Sequence, residues 1–164
     1  MKLVISDSTT LITLAKTNHL DLLSNFIEKI YIPVAVKNEL SHKEDGVKEA
    51  IEQADFIETR VVSDKTILNE VKKANLDLGE IQAISLALET GFDLIIDERL
   101  GRKYAKSKNI NIMGLLGILK VNLVNGFITH IELLYLLEEF KQAKFRLNPK
   151  LEKSFLESIS DYKD

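Results

Sequence analysis

An α/β fold, a parallel sheet wrapped by helices, is the class this sequence predicts, on three observations. Short β-branched runs bounded by polar or turn residues alternate with helical patterns. Two of those runs are apolar enough to be covered on both faces. Parallel neighbours need long crossovers, and the helical stretches between the runs supply them.

The elements follow in order. "KLVIS" at 2–6 reads as the first strand, and "TLITLAKTN" and "HLDLLSNF" fill the gap before "KIYI" at 29–32. "PVAVKNELS" opens a helix with Pro33 in its first turn, and "GVKEAIEQA" continues toward a third strand, "FIETRVV" at 56–62. "DKTILNEVKKAN" and "GEIQAISLALET" separate it from the fourth strand, "DLIID" at 93–97, with Gly91 as the helix stop. "INIM" at 110–113 is the fifth strand. Beyond it only helices are expected: "GLLGILKVNLVNG", "THIELLYLLEEFKQAKF" and a last segment capped by Asn148 with Pro149 at its first position. In the second of these, Ile131, Leu133, Leu134, Leu136, Leu137 and Phe140 cover more than a narrow stripe. Packing within a helical hairpin accounts for such a face, and a homodimer or partner groove is the other reading. No repeat or composition break divides the chain, so one domain over 1–164 is expected, with its core at about 1–128 and C-terminal helices at about 129–160.

A chain of 164 residues with 45% hydrophobic and 29% charged content has ordinary globular composition. It has no cysteine, which excludes disulfides and thiolate metal sites and fits a reducing, cytoplasmic setting. His19, His42 and His130 lie too far apart in sequence to suggest a histidine-built zinc site. The start of the chain reads as a strand rather than a secretory signal. The most apolar neighbourhood, "INIMGLLGILKVNLV", is broken by Asn111, Lys120 and Asn122 and is too short to span a bilayer. A net charge of -3 argues against a protein that coats nucleic acid non-specifically. Against that background "ERLGRKYAKSKN" is locally basic, carrying Arg99, Arg102, Lys103, Lys106 and Lys108 beside Glu98. A solvated helix face explains this stretch, and so does a grip on phosphates.

Four carboxylates carry the functional question. Asp7 and Asp97 each end a strand and precede a helix, so each either caps that helix or emerges at the carboxyl edge of the sheet, where α/β folds bind ligands. Glu80 follows Asp77 in a capping-box pattern. Glu39 lies on a short helix, where an exposed glutamate is commonplace. Gathered at one edge, these acids would repel one another and raise their own pKa values unless a cation were bound. With oxygen ligands only, Mg²⁺ or Mn²⁺ are the preferred ions. One or two of them, roughly 3.5–4 Å apart if two, suit in-line phosphodiester hydrolysis. Ser8 or Thr9 is placed to orient a ligand or the water. Neither G-x-G-x-x-G nor G-x-x-x-x-G-K-[ST] occurs, nor does G-x-S-x-G, so dinucleotide, P-loop and serine-hydrolase chemistry find no support. A phosphoryl-accepting receiver is also disfavoured, since no acidic pair ends the first strand and no lysine ends the fifth.

The blocks "VISDSTTLITLAK", "IYIPVAVKNEL", "LGEIQAISLALETGFDLIIDERLGRKYA" and "INIMGLLGILKVNLVNGFI", in that order, resemble the PIN-domain nucleases, in particular their small prokaryotic toxin-like branch. "KFRLNPKLEKSFLESI" also looks like that branch. The resemblance implies a five-stranded parallel sheet of order 3-2-1-4-5 with Asp7 and Asp97 on adjacent strands. It implies an acidic Mg²⁺ or Mn²⁺ site made by Asp7, Glu39, Glu80 and Asp97, serving both as ligands and as the catalytic centre. Thr9 falls where the family favours a small hydroxyl or amide residue, and Arg102, with Lys103 beside it, where the branch keeps a basic one for substrate. The chain departs from the branch at Leu115, where a hydroxyl residue is common, and adds Glu98 beside Asp97. The implied activity is RNA phosphodiester hydrolysis, the implied partners are an RNA substrate and an antitoxin protein, and the rival reading is a PIN-like module that binds RNA or protein without cutting.

Overall fold

The computed structural model describes residues 2–162. Five strands, β1 (Lys2–Ser6), β2 (Ile27–Ile32), β3 (Ile57–Thr59), β4 (Asp93–Ile95) and β5 (Ile112–Met113), form one sheet of order β3-β2-β1-β4-β5, and every pairing is parallel. Helices α1 (Ser8–Lys16) and α2 (Asp21–Ser24) join β1 to β2, and α3 (Val34–Ser41) and α4 (Val47–Gln53) join β2 to β3. Helices α5 (Lys65–Val71) and α6 (Leu78–Thr90) lead to β4, and α7 (Arg99–Ser107) leads to β5. Helices α8 (Leu115–Val124), α9 (His130–Gln142) and α10 (Pro149–Ser158) complete the described chain.

Side-chain alternation along the central strands explains why the sheet is covered twice. Val4, Ile30 and Ile95 face a core shared with α1, α3, α4 and α8, and Leu133, Phe140, Phe155 and Ile159 of the C-terminal helices and the α10 end belong to that same core. Ile5, Leu94 and Ile96 face the opposite core, against Ile84 of α6 and Ala105 of α7. Both faces of β1 and β4 are therefore dry, as parallel strands require.

Several expected boundaries shift. β2 begins at Ile27, two residues early, because Lys2 and Leu3 pair with Ile27 and Lys29 across an irregular register. β3 stops at Thr59 instead of 62, since it is an edge strand with only β2 beside it; Arg60 makes one further bond to the Ile32 carbonyl (2.9 Å) and stacks over Tyr31. Pro33 precedes α3 as its N-cap, still with the extended ψ of 166° of the strand exit. The Gly91 stop is as expected, in the left-handed region with φ 75°, and Asn148 caps α10 by accepting from the Lys150 amide at 2.8 Å. On α9, Leu133, Leu136, Leu137 and Phe140 are buried, so hairpin packing accounts for them, while Ile131, Leu134 and Tyr135 stay exposed.

Asn122, one of the residues that interrupts the apolar stretch, has a structural task. Fully buried, it donates to the carbonyls of Leu22 (2.9 Å) and Ile118 (2.8 Å) and accepts from Asn25 (2.7 Å), tying α8 to the chain before β2. No helix among the described residues is long and apolar enough to cross a membrane. Asn122→Ala should lower stability by about 1–3 kcal/mol, because it leaves buried partners unpaired. Asn125→Ala, which removes only a surface bond to Val121, should change it by less than about 0.5 kcal/mol. Thermal unfolding of the two variants checks this.

Candidate functional site

β1 and β4 are neighbours, with Ser6 opposite Ile95, and the Asp7 amide donates to the Ile95 carbonyl at 2.9 Å. Asp7 and Asp97 therefore leave the sheet at the same carboxyl edge. Helices α1, α6, α7 and α8 all begin there. Helix α3 packs beside α6 through the Ala35 amide, which donates to the Gln82 side chain at 2.8 Å. This contact carries Glu39 toward the edge from the far side.

Asp7 is buried and makes no capping hydrogen bond to α1. Capping therefore does not explain it. Its carboxyl is pushed up from 3.8 to about 7, first by burial, with the Ser8 amide pulling it back and the charges of Asp77, Glu39 and Glu98 raising it further. Glu80 is also buried, and its Oε2 has no hydrogen-bond partner. Burial, a proton shared with Asp77 and the charges of Asp77, Asp7 and Glu98 push it up from 4.5 to about 8. Asp77 does cap α6, accepting from the Glu80 amide at 2.8 Å, so half of the expected capping box is present and the glutamate side chain is left for the site.

Asp97 is treated differently. It does not cap α7, whose N-cap position is Glu98. Its carboxylate accepts from the Thr10 hydroxyl and from the Leu115 amide at the start of α8, 3.2 Å from each oxygen. Burial raises its pKa, while Thr10, Leu115 and the Arg102 charge pull it down. Leu115 thus contributes through its backbone where the toxin-like branch often has a hydroxyl side chain. Thr9 donates to Glu98 at 3.2 Å, Arg102 donates to the Ile96 carbonyl at 2.7 Å, and Lys103 is exposed. Glu39 is exposed on α3.

None of Asp7, Glu80 and Asp97 has a salt bridge among the described residues, but Asp97 has hydrogen bonds from Thr10 and Leu115 to its carboxylate, whereas Glu80 Oε2 has no partner. Among those residues no three His, Cys, Asp or Glu side chains are grouped closely enough to hold an ion as they stand. The donor chemistry still suits a hard cation: every available ligand is an oxygen, one buried oxygen lacks a partner, and the charges are in excess.

A cleft of about 1000 Å³ opens at this edge, lined by Glu39, Asp97 and Glu98. The cleft is also lined by Lys16, Lys43, Arg99, Arg102, Lys103 and Lys106, and by Lys144 and Arg146 from the α9–α10 connection. Eight basic side chains against three carboxylates make this the positive region of a negative chain. The expected basic stretch of α7 supplies only half of it.

Reasoning from the sequence missed Thr10, the part of Asp77 in the acidic edge, the Lys144 and Arg146 wall, and three glycines. A Cβ at Gly79 would lie 3.3 Å from an Asp7 oxygen, one at Gly101 2.7 Å from Glu80 Oε2, and one at Gly114 against Asp97. Each of the three buried or half-buried acids has a glycine making room for it. Gly79 and Gly101 inside first helical turns were the available signal, because glycine there costs about 1 kcal/mol without a reason.

Asp7 keeps its proton to a higher pH in the fold than in the unfolded chain. The resulting penalty is absent below about pH 3, where both states are protonated, grows as the unfolded carboxyl ionises and is complete above about pH 7. Asp7→Asn should therefore match the parent near pH 3 and exceed its melting temperature increasingly toward pH 8 in chelator, at about 2–4 °C per kcal/mol removed. Gly101→Ala, normally stabilising in a helix, should cost about 1–3 kcal/mol because the methyl meets Ile96 at 2.6 Å and Glu80 at 2.7 Å. Differential scanning calorimetry reads both.

Residues 3–161 match the family model described as the PIN domain. No curated protein matches the chain. Among solved structures it is similar to a PilT N-terminus domain protein from the hyperthermophilic archaeon Sulfolobus solfataricus P2, at 22% identity and TM-score 0.49 over 75% of this chain and 94% of that one. It is also similar to VapBC2 from Rickettsia felis, solved bound to a DNA fragment from its promoter, at 18% identity and TM-score 0.48 over 70% of this chain and 98% of that one. With a match running from the first strand past the last helix, this chain belongs to the PIN-domain family.

Proposed function

We propose that this protein is a Mg²⁺- or Mn²⁺-dependent endoribonuclease that hydrolyses RNA phosphodiester bonds in the cytoplasm, as the toxin of a pair with an antitoxin protein. The observation that carries the catalytic reading is a pair of buried carboxyls without a cationic partner, Asp7 and Glu80, beside a cleft walled by basic side chains. A fold keeps such a destabilising arrangement where a ligand relieves it. The antitoxin partner is supported by the family resemblance.

Asp7, Glu80 and Asp97 would hold the ion, with Glu39 at the rim. Mg²⁺ keeps several of its waters and needs only one or two protein carboxylates, so the lack of a three-acid grouping among the described residues is compatible with it. The bound ion would supply charge to offset the acids, Lewis acidity toward the phosphate and an activated water. The chain's own residues do the positioning. Thr10 and the Leu115 amide fix the Asp97 carboxylate, and Thr9 orients Glu98 at the cleft wall. Lys103, exposed in the cleft, and Arg102 balance the charge of the phosphates that flank the scissile bond.

The rival reading, a PIN-like module that binds without cutting, has one observation in its favour: Asp97 already has partners for its charge. Two measurements separate the readings. Purified protein should cleave unstructured RNA with Mg²⁺ or Mn²⁺ and not with chelator, and Asp7→Asn should cut at least about 10²-fold more slowly with unchanged circular dichroism. Titration calorimetry should show metal binding at or below millimolar concentration. Cleavage by Asp7→Asn at the parent rate would place the activity at another site or in a contaminant and end this assignment, whereas no heat from either ion and no cleavage by the parent would decide for the binding module.

A further inference from the structure

The connection between α9 and α10 is built as a wall of the cleft. From Ala143 to Leu147 burial alternates residue by residue, and the whole run lines the cleft: Phe145 and Leu147 are half-buried against the main core, while Lys144 and Arg146 are exposed. Lys144 holds a positive φ of 71°, which turns the chain out of α9, and the Phe145 amide closes the turn on the Phe140 carbonyl at 3.0 Å. At the base, Lys141 of α9 bonds Glu152 of α10 at 2.6 Å. The segment is thus clamped at both ends and pinned in the middle, and its two cations line the same cleft as the basic residues of α7.

The geometry points to the Lys144–Asn148 segment as a second wall of a channel for unpaired RNA, in which Lys144 and Arg146 hold backbone phosphates in addition to those met by α7. This rests on the nuclease reading for its substrate and adds the element that selects the strand form. Cations alone would suit any polyanion, including an acidic peptide or a duplex. The cleft, however, also carries an apolar lining of Ile12, Leu116, Phe145, Leu147 and Leu151. Unpaired bases offer apolar faces to such a lining while their phosphates take the cations. A duplex hides those faces in its stack, and an acidic peptide has no use for so much apolar wall.

The test uses the full chain with Asp7→Asn to prevent cleavage, in Mg²⁺, and follows fluorescence anisotropy of a labelled unstructured RNA, the same sequence as a duplex, and a poly-glutamate peptide. The strap variant is Lys144→Gly with Arg146→Ala; glycine suits the positive φ, and both side chains are exposed, so melting should be unchanged. The expected result is a loss of about 10-fold or more for unpaired RNA and a fall in the salt slope of about 1.4, at about 0.7 per phosphate contact. Arg146→Lys, which keeps the charge, should retain most of the affinity. Unchanged affinity and slope in the strap variant would overturn the inference. So would an equal loss for the duplex, preference for the peptide, or no binding of unpaired RNA by the Asp7→Asn chain. Cleavage by the parent is scored separately: strap-dependent RNA binding without cleavage would end the nuclease reading alone, and metal-dependent cleavage indifferent to the strap would end this one alone.

Discussion

The parallel pairing of β1 with β4 is the constraint on which the functional edge depends. It sets Ser6 against Ile95 and delivers Asp7 and Asp97 to one rim of the sheet, where four helices start. Helix N-termini bring unpaired amides and partial positive charge, which favours acids at that rim. The amides are not shared evenly. The start of α8 is given to Asp97 through Leu115, and the start of α6 to Asp77, so Asp7 and Glu80 are left with burial and little compensation.

That uneven sharing separates the acids whose charge has hydrogen-bonding partners from those with few. Asp97 is held by a hydroxyl, an amide and a nearby guanidinium, and Asp77 by the helix it caps. Burial raises all three site carboxyls, Asp7 to about 7 and Glu80 to about 8, and Asp97 against the pull of Thr10, Leu115 and Arg102. The glycines at 79, 101 and 114 express the same design in steric terms, since a methyl at any of them would press on Asp7, Glu80 or Asp97. At Gly79 and Gly101, inside α6 and α7, this space is kept at the expense of helix propensity.

Charge is organised on a scale that composition hides. The chain has 25 acidic and 22 basic residues, yet the cleft beside the acids is lined by eight cations. These come from α1, the turn after α3, α7 and the α9–α10 connection, which lie far apart in sequence. The last of these is fixed to the same core as β1, because Phe140, Phe155 and Ile159 pack with Val4 and Ile95. The C-terminal helices are therefore a wall of the cleft as well as cover for the sheet.

By itself the sequence determined the α/β class, the five strands within a few residues, the Gly91 and Asn148 helix boundaries, and the four acids worth watching. Periodicity, β-branching and capping chemistry are local, and local signals survive in one dimension. The strand order came with the family resemblance and holds in the fold. Only the tertiary structure decided which acids are satisfied. Asp7, Asp77 and Asp97 look alike as helix-start aspartates, and they differ because Thr10, Leu115 and Arg102 reach Asp97 while Asp7 has only the Ser8 amide. The glycine clearances and the Lys144 and Arg146 wall are likewise distances between segments up to about 130 residues apart, and no local pattern encodes a distance of that kind.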